Sequence, residues 1–370
     1  KGSAYAAPNL DQIELAELIS GRIESIETLR FTSSGTEGTL MALRCARAAT
    51  GRQKIMKMEG GYHGSYEQAE VSLVPTPAGR GDIAAPASTA VDGSFPDSVL
   101  GDTIVCPYNE PAHARALIEA HAQELAAVIV EPVLGSMGMV PAEPEFLEAL
   151  RTATAAHGIV LIFDEVITLR LAHGGAQATL GIAPDLTCMG KIIGGGLPIG
   201  AVGGRRELMA LFSPDQSTPV MHASTFSGNA LTMAAGLAAM RAYTAAEAER
   251  INGLGERLRE GFNQAFLQTG IRGHVSGTGS LSNVHFTYEP MSNARHNIDA
   301  VIDAGHIPRL LHLGMLRRGV MSASRLMYCT STAMGEGEVA QAVDAFTDTL
   351  KELRPVIEAE RPGLLTSAAA

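Results

Sequence analysis

AAVIVEPVLGSMGMVPAEPEFLEALRTATAAHGIVLIFDEV, residues 126–166, holds the repeating unit of the architecture. It opens on an apolar, β-branched run (AAVIVEPV, 126–133) and passes through a helical pattern (EPEFLEALRTATAAHG, 143–158). It then returns to an apolar run, IVLIFDEV, at 159–166. A strand, a covering helix and a second strand form a unit of parallel sheet. The alternation continues outward from there. TLRFTSS (28–34) precedes the helical GTLMALRCARAATG (38–51), and TIVCPYN (103–109) precedes PAHARALIEAHAQEL (111–125). The pattern predicts an α/β protein with a mostly parallel central sheet flanked by helices. Ligands in such folds bind beyond the carboxyl ends of the strands.

Beyond Phe226 the character changes. A long helical pattern covers GNALTMAAGLAAMRAY and EAERINGLGERLREGFNQAF, then come GHVSGTGSLSNVHFTY, another helix, a short strand and an amphipathic helix near GEVAQAVDAFTDTLKEL. A large domain over 27–240 and a smaller α+β domain over 241–370 are expected. The stretch 71–102, rich in Pro, Gly, Ala and Ser, exceeds an ordinary connection and is expected to cover a site, with a mobile excursion as the alternative.

The chain's 370 residues, 46% hydrophobic, suffice for a large buried core. A net charge of −11 without a basic block offers nothing to a phosphate backbone. The apolar runs fall short of the roughly 20 residues of a membrane span, so neither nucleic acid nor a membrane is an expected partner. Cys45, Cys106, Cys188 and Cys329 lie far apart without a CxxC pair, which fits reduced thiols in a cytoplasmic protein. The histidines have no metal-ligand spacing, and no metal is expected. The opening KGSAYAAPNL has neither an initiator methionine nor a signal-peptide pattern, so the chain is expected to start inside a longer protein.

Four local patterns could carry chemistry. In CMGKIIGGGLPIGAVGG (188–204), Lys191 stands among small and apolar residues with no acidic neighbour, a setting for a reactive amine. Asp164 and Glu165 end an apolar run. Strand alternation turns one carboxylate inward, where it needs a cationic partner, although a salt bridge or a helix cap would also meet that need. Ser33, Ser34, Gly35 and Thr36 sit between a strand and a helix, where free N–H groups attract phosphate or where a serine or threonine merely caps. Tyr62 and His63 lie between glycines that let a flat ring approach the backbone.

Together these features ask for one ligand with a phosphate, an aromatic ring, a cationic ring nitrogen and an aldehyde, which is pyridoxal 5′-phosphate (PLP). The sequence also resembles the class III (subgroup II) aminotransferases of PLP fold type I, including β-amino-acid transaminases and glutamate-1-semialdehyde aminomutase. The resemblance rests on SSGTEGTLMALRCARAATGR, GGYHG, EPVLGSMGMVP, LIFDEVITLRL, GGAQATLGIAPDLTCMGKIIGGGLPIGAVGGRRELM and STFSGNALTMAAG.

It implies that Lys191 is the Schiff-base lysine and Asp164 the partner of the pyridine nitrogen. Val166 and Tyr62 would pack on the two ring faces, with His63 nearby. Ser34, Gly35 and Thr36 would bind phosphate, and Thr225 would reach the phosphate of the neighbouring subunit of a homodimer with shared active sites. Arg325 occupies roughly the place of a carboxylate-binding arginine. Ser136 stands where ornithine- and GABA-type relatives carry a glutamate, Ala230 replaces a proline and Ser33 an asparagine. Residues 1–26 read as the remnant of a longer family segment. The implied activity moves an amino group from an amino acid, β-amino acids among them, to a 2-oxo acid. An aminomutase and a catalytically inactive scaffold are the alternatives.

Overall fold

The computed structural model describes residues 7–366. The chain gathers into two compact units. The first runs up to Pro132 and resumes over Ala142–Ala245, and the second joins Val133–Pro141 to the chain from Ala246 onward. This division differs from the sequence-based one of 1–26, 27–240 and 241–370 in two respects. Helix α1 (Leu10–Arg22) is part of the first unit, because Leu15 and Ile19 share a buried cluster with Met233, Leu237 and Met240 of the helix Ala230–Ala242. Residues 133–141 join the second unit, where the carbonyl of Gly138 receives the Ser276 hydroxyl and lies 3.3 Å from His285 Nε2.

The first unit is built on a seven-stranded sheet. Its strands are β1 (Thr28–Thr32), β2 (Lys54–Met58), β3 (Thr103–Cys106), β4 (Leu125–Val130), β5 (Val160–Asp164), β6 (Leu186–Gly190) and β7 (Gly200–Gly204). Their order is β1-β7-β6-β5-β4-β2-β3, with β7 antiparallel to both neighbours and the remaining pairs parallel. Every residue of β4, β5 and β6 is buried, as expected of parallel strands covered on both faces. The mostly parallel sheet expected from the alternation is therefore present.

Helix α2 (Gly35–Thr50) packs its apolar face on β4 to β7. Its first turn approaches β7 so closely that a Cβ on Gly200 would lie 1.9 Å from the Ser34 carbonyl oxygen. Helices α3 (Pro111–Ala120), α4 (Pro144–His157) and α5 (Ala230–Ala242) complete the set of longer helices in this unit.

The stretch 71–102 contains a two-residue ladder (Gly81–Asp82 with Ala85–Pro86) and runs along the outermost strand, β3. Ser88 Oγ donates 2.7 Å to the Thr103 carbonyl, and Ser72 and Thr89 bond through their backbones. Covering the open edge of β3 is the role the structure gives it.

The second unit carries helix α6 (Ala245–Thr269), an antiparallel sheet of β8 (His274–Thr278), β9 (Leu281–His285) and β10 (Met327–Cys329), and helices α7 (Ala294–Ala304), α8 (Ile307–Arg317) and α9 (Glu336–Glu360). Its core centres on Phe262, stacked on Phe346 at 4.0 Å between ring centroids. The continuous helical pattern expected over 228–266 is broken at Tyr243–Thr244, separating α5 from α6. Among the described residues no helix is long and apolar enough to cross a membrane, and no group of His, Cys, Asp and Glu could hold a metal ion.

Candidate active site

At the carboxyl end of the sheet a cavity of about 590 Å³ opens, walled by residues of the first unit. Ser34, Gly35, Thr36, Tyr62, His63, Asp164, Val166 and Lys191 all line it. Four separate stretches of sequence thus converge on one space. The parallel register explains this: Asp164 ends β5 opposite Cys188 of β6, and Lys191 follows directly on the end of β6.

Lys191 has φ +45, a left-handed conformation that costs a side-chain-bearing residue roughly 1–2 kcal/mol. Only four other non-glycine residues share positive φ among the described residues: Ser72, Asn109, Met139 and Leu326. The Lys191 side chain is exposed to the cavity and makes no ion pair among the described residues.

Asp164 is 5% exposed and doubly held. Its Oδ1 accepts from the Val166 N–H at 3.1 Å and its Oδ2 from His63 Nδ1 at 2.9 Å. Burial lowers the His63 pKa, against the pull of the Asp164 hydrogen bond and charge. The ring is therefore neutral at pH 7, with its proton on Nδ1 facing the carboxylate. His63 Nε2 is buried without a partner. The neighbouring Glu165 turns to the other face and is fully buried. Its carboxylate accepts from Thr168 Oγ1, Ala176 N, Gln177 N and Gln177 Nε2. Burial raises its pKa against those hydrogen bonds, and this carboxylate serves the fold.

The first turn of α2 forms a second wall. Ser34 caps it by accepting from Glu37 N at 3.2 Å, and the Glu37 carboxylate returns to accept from Ser33 N at 2.7 Å. Gly35 lies close to Val166: a Cβ there would lie 3.0 Å from Val166 Cγ2, so the valine side chain would have to give. Gly64, at φ +115, lets the Tyr62–His63 loop close on Thr36, where a Cβ would meet Thr36 Oγ1 at 2.7 Å. The hydroxyl of Thr39 joins the two walls by donating to the carbonyls of Thr36 and His63.

Two expected residues lie elsewhere. Thr225 is exposed on the irregular segment before α5 and is not among the residues lining the cavity. Arg325 belongs to the second unit, where it is exposed and its Nη1 donates to the Ser136 carbonyl at 3.4 Å. Residues 71–102, expected to cover a site, contribute nothing to the cavity wall.

Conversely, the sequence reading passed over Glu131, Thr39 and Leu197, which line the cavity. Glu131 is 4% exposed and accepts from the Tyr62 N–H at 3.0 Å. It ends an apolar strand run just as Asp164 does, and that parallel is the signal that could have found it.

The class-III aminotransferase family model matches residues 3–350. A glutamate-1-semialdehyde 2,1-aminomutase of Halalkalibacterium halodurans is 40% identical over 357 residues, covering 96% of this chain and 80% of that protein. The solved structure of an omega-transaminase from Sphaerobacter thermophilus superposes with a TM-score of 0.90 at 44% identity, covering 95% of this chain and 80% of that one. A β-phenylalanine aminotransferase from Variovorax paradoxus superposes at 0.83 and 37% identity, covering 99% and 78%. With this agreement in sequence, sheet order and cavity, the chain belongs to the class-III aminotransferases, PLP-dependent enzymes of fold type I.

Proposed function

We propose that the protein is a transaminase that moves an amino group from an amino acid, β-amino acids included, to a 2-oxo acid. The observation that carries the reading is a single one: a conformationally strained, exposed lysine, Lys191, opens into the same cavity as the buried carboxylate of Asp164. The cavity's residues fit PLP. The N-terminus of α2, with Ser34, Gly35 and Thr36, suits a phosphate. Tyr62 and Val166 offer two surfaces for a ring, and Asp164 suits a protonated ring nitrogen.

When bound, the cofactor supplies an electron sink for the carbon that loses its proton. Asp164 would pair with the protonated ring nitrogen, held in place by its hydrogen bond with His63 Nδ1. Lys191 Nζ would hold the cofactor and, as a free amine, would carry the substrate proton as base and acid. Arg325 receives the substrate carboxylate in a two-pronged pair. Its neighbour Leu326 is buried at φ +61, a costly conformation for leucine of the kind that marks functional segments. Thr225 serves the phosphate of a second copy in a homodimer. Exposed Met221, Phe226 and Leu231 around it (65%, 57% and 64%) support such an interface.

A second reading, the aminomutase, is favoured by the likeness to the H. halodurans protein. Glutamate-1-semialdehyde supplied alone, without donor or acceptor, separates the two. The transaminase reading expects no net isomerisation and expects oxo product from a β- or α-amino acid paired with pyruvate or 2-oxoglutarate. Isomerisation of the semialdehyde without turnover of any such pair would overturn it.

A further inference from the structure

The loop that carries Tyr62 and His63 leaves β2 at Glu59 and returns at Val71, with its ends tied by the Gly60 N–H to the Ser72 carbonyl at 2.9 Å. Beneath it lies a fully buried lysine that no part of the mechanism above uses. Lys57 is 0% exposed, and its Nζ donates to the Val71 carbonyl at 2.6 Å, bracing the returning end of the loop. In the parallel register Lys57 stands opposite Ile129 of β4, and Ile129 opposite Ile162 of β5. Glu131 lies two positions beyond Ile129, so its side chain shares the sheet face of Lys57. Glu59 lies two positions beyond Lys57 and joins the same face, buried at 2%.

One cation therefore lies one row behind the buried carboxylates Glu59 and Glu131. Glu131 in turn accepts the Tyr62 N–H. We propose that Lys57 is a positioning residue for the cofactor platform: it braces the loop at Val71, balances the charge of Glu131, and so holds Tyr62 and His63 against the ring site. The proposal rests on the reading of the cavity as a PLP site.

The electrostatics agree with this placement. Burial lowers the Lys57 pKa to about 7, against the pull of Glu131, Glu59 and Glu70, and Lys57 itself helps to lower the pKa of His63. Removing a buried cation that lies one row from a buried carboxylate takes away part of what offsets that carboxylate's charge. Loss of the Lys57 charge therefore loosens the hold on Glu131, the acceptor of the Tyr62 N–H. Replacing Glu131 by glutamine keeps an acceptor oxygen for Tyr62 and carries no charge.

The test compares wild type, Lys57→Met and the double variant Lys57→Met/Glu131→Gln. Two readouts are taken: hydrogen exchange of the Tyr62 amide in the cofactor-free protein, and PLP affinity by titration of that protein. Lys57→Met is expected to lose protection at Tyr62 and to bind PLP roughly tenfold more weakly, about 1.4 kcal/mol. The double variant, which still lacks the brace at Val71, is expected to recover part of both. If Lys57→Met alone does not fold, recovery of folding in the double variant supports the pairing, and a double variant that fares no better overturns it. Wild-type protection and affinity in Lys57→Met would also overturn it, as would weaker PLP binding with Tyr62 still protected. Failure of the wild-type protein to take up PLP would instead overturn the cofactor reading, whatever the exchange data show.

Discussion

Replacing Asp164 by asparagine changes one oxygen for an NH2 group and leaves the volume nearly unchanged. The carboxylate accepts two hydrogen bonds, from Val166 N and from His63 Nδ1. An amide can keep the first through its oxygen but then presents a donor to the His63 N–H. The ring can answer by moving its proton to Nε2, yet that atom is buried with no acceptor. Either arrangement leaves one buried donor unsatisfied, at about 1–3 kcal/mol, or roughly 5- to 150-fold in the population of the productive geometry.

That factor should appear in PLP affinity, measured by titrating the cofactor-free protein. Turnover with saturating cofactor should fall further, by several powers of ten, because the charge that keeps the ring nitrogen protonated is also gone. Wild-type turnover and affinity in Asp164→Asn would show that the aspartate only supports the fold. A loss of affinity alone, with turnover intact at saturation, would remove the electronic role and leave only the positional one.

Arg325→Ala should lower kcat/KM for amino acids by roughly 30-fold or more, the cost of breaking a charge pair of about 2–5 kcal/mol. A neutral amine such as 1-phenylethylamine should be much less affected, and equal losses for both would assign Arg325 to the fold. The second unit should be acid-labile. Burial and neighbouring His274 lower the His285 pKa to about 3, so below its unfolded value near 6.5 only the unfolded chain takes up the proton. Stability from this group is complete above about pH 6.5 and is lost as pH falls towards 3. Hydrogen exchange in β8 and β9 should speed up over that window, and flat protection would contradict the assignment.

The sheet was legible because its parallel strands are buried on both faces and read as apolar runs of nearly the right length. IVLIFDEV, at 159–166, contains all of β5 (Val160–Asp164). Lys191, Asp164 and the Ser34–Thr36 turn were legible for a related reason: at the ends of such strands a charged or capping residue interrupts an otherwise apolar text. Glu131 carries the same mark but was passed over, since its purpose depends on the backbone of Tyr62, far away in sequence. Lys57 was hidden because a lysine inside KIMKM looks like the polar half of an alternating strand, and only the register with β4 places it beside buried carboxylates. The allegiance of 133–141 to the second unit depends on the Gly138 carbonyl meeting Ser276 and His285, a backbone contact with no signature in side-chain chemistry. Residues 71–102 had the composition of a functional loop, yet the open edge of β3 makes the same demand for cover.

The central claim is that Lys191 is the amine that binds the cofactor, and the scarcity of lysine makes it simple to test. The chain has five lysines: Lys1, Lys54, Lys57, Lys191 and Lys351. Lys54 is paired with Glu124 at 2.7 Å, Lys351 with Asp348 at 3.1 Å, and Lys57 is fully buried, while Lys1 lies outside the described residues. Borohydride reduction of the PLP-loaded protein, followed by peptide mapping, should place a single phosphopyridoxyl group on Lys191, and Lys191→Ala should abolish it. A phosphopyridoxyl group on any other lysine, or an undiminished label in Lys191→Ala, would contradict the account.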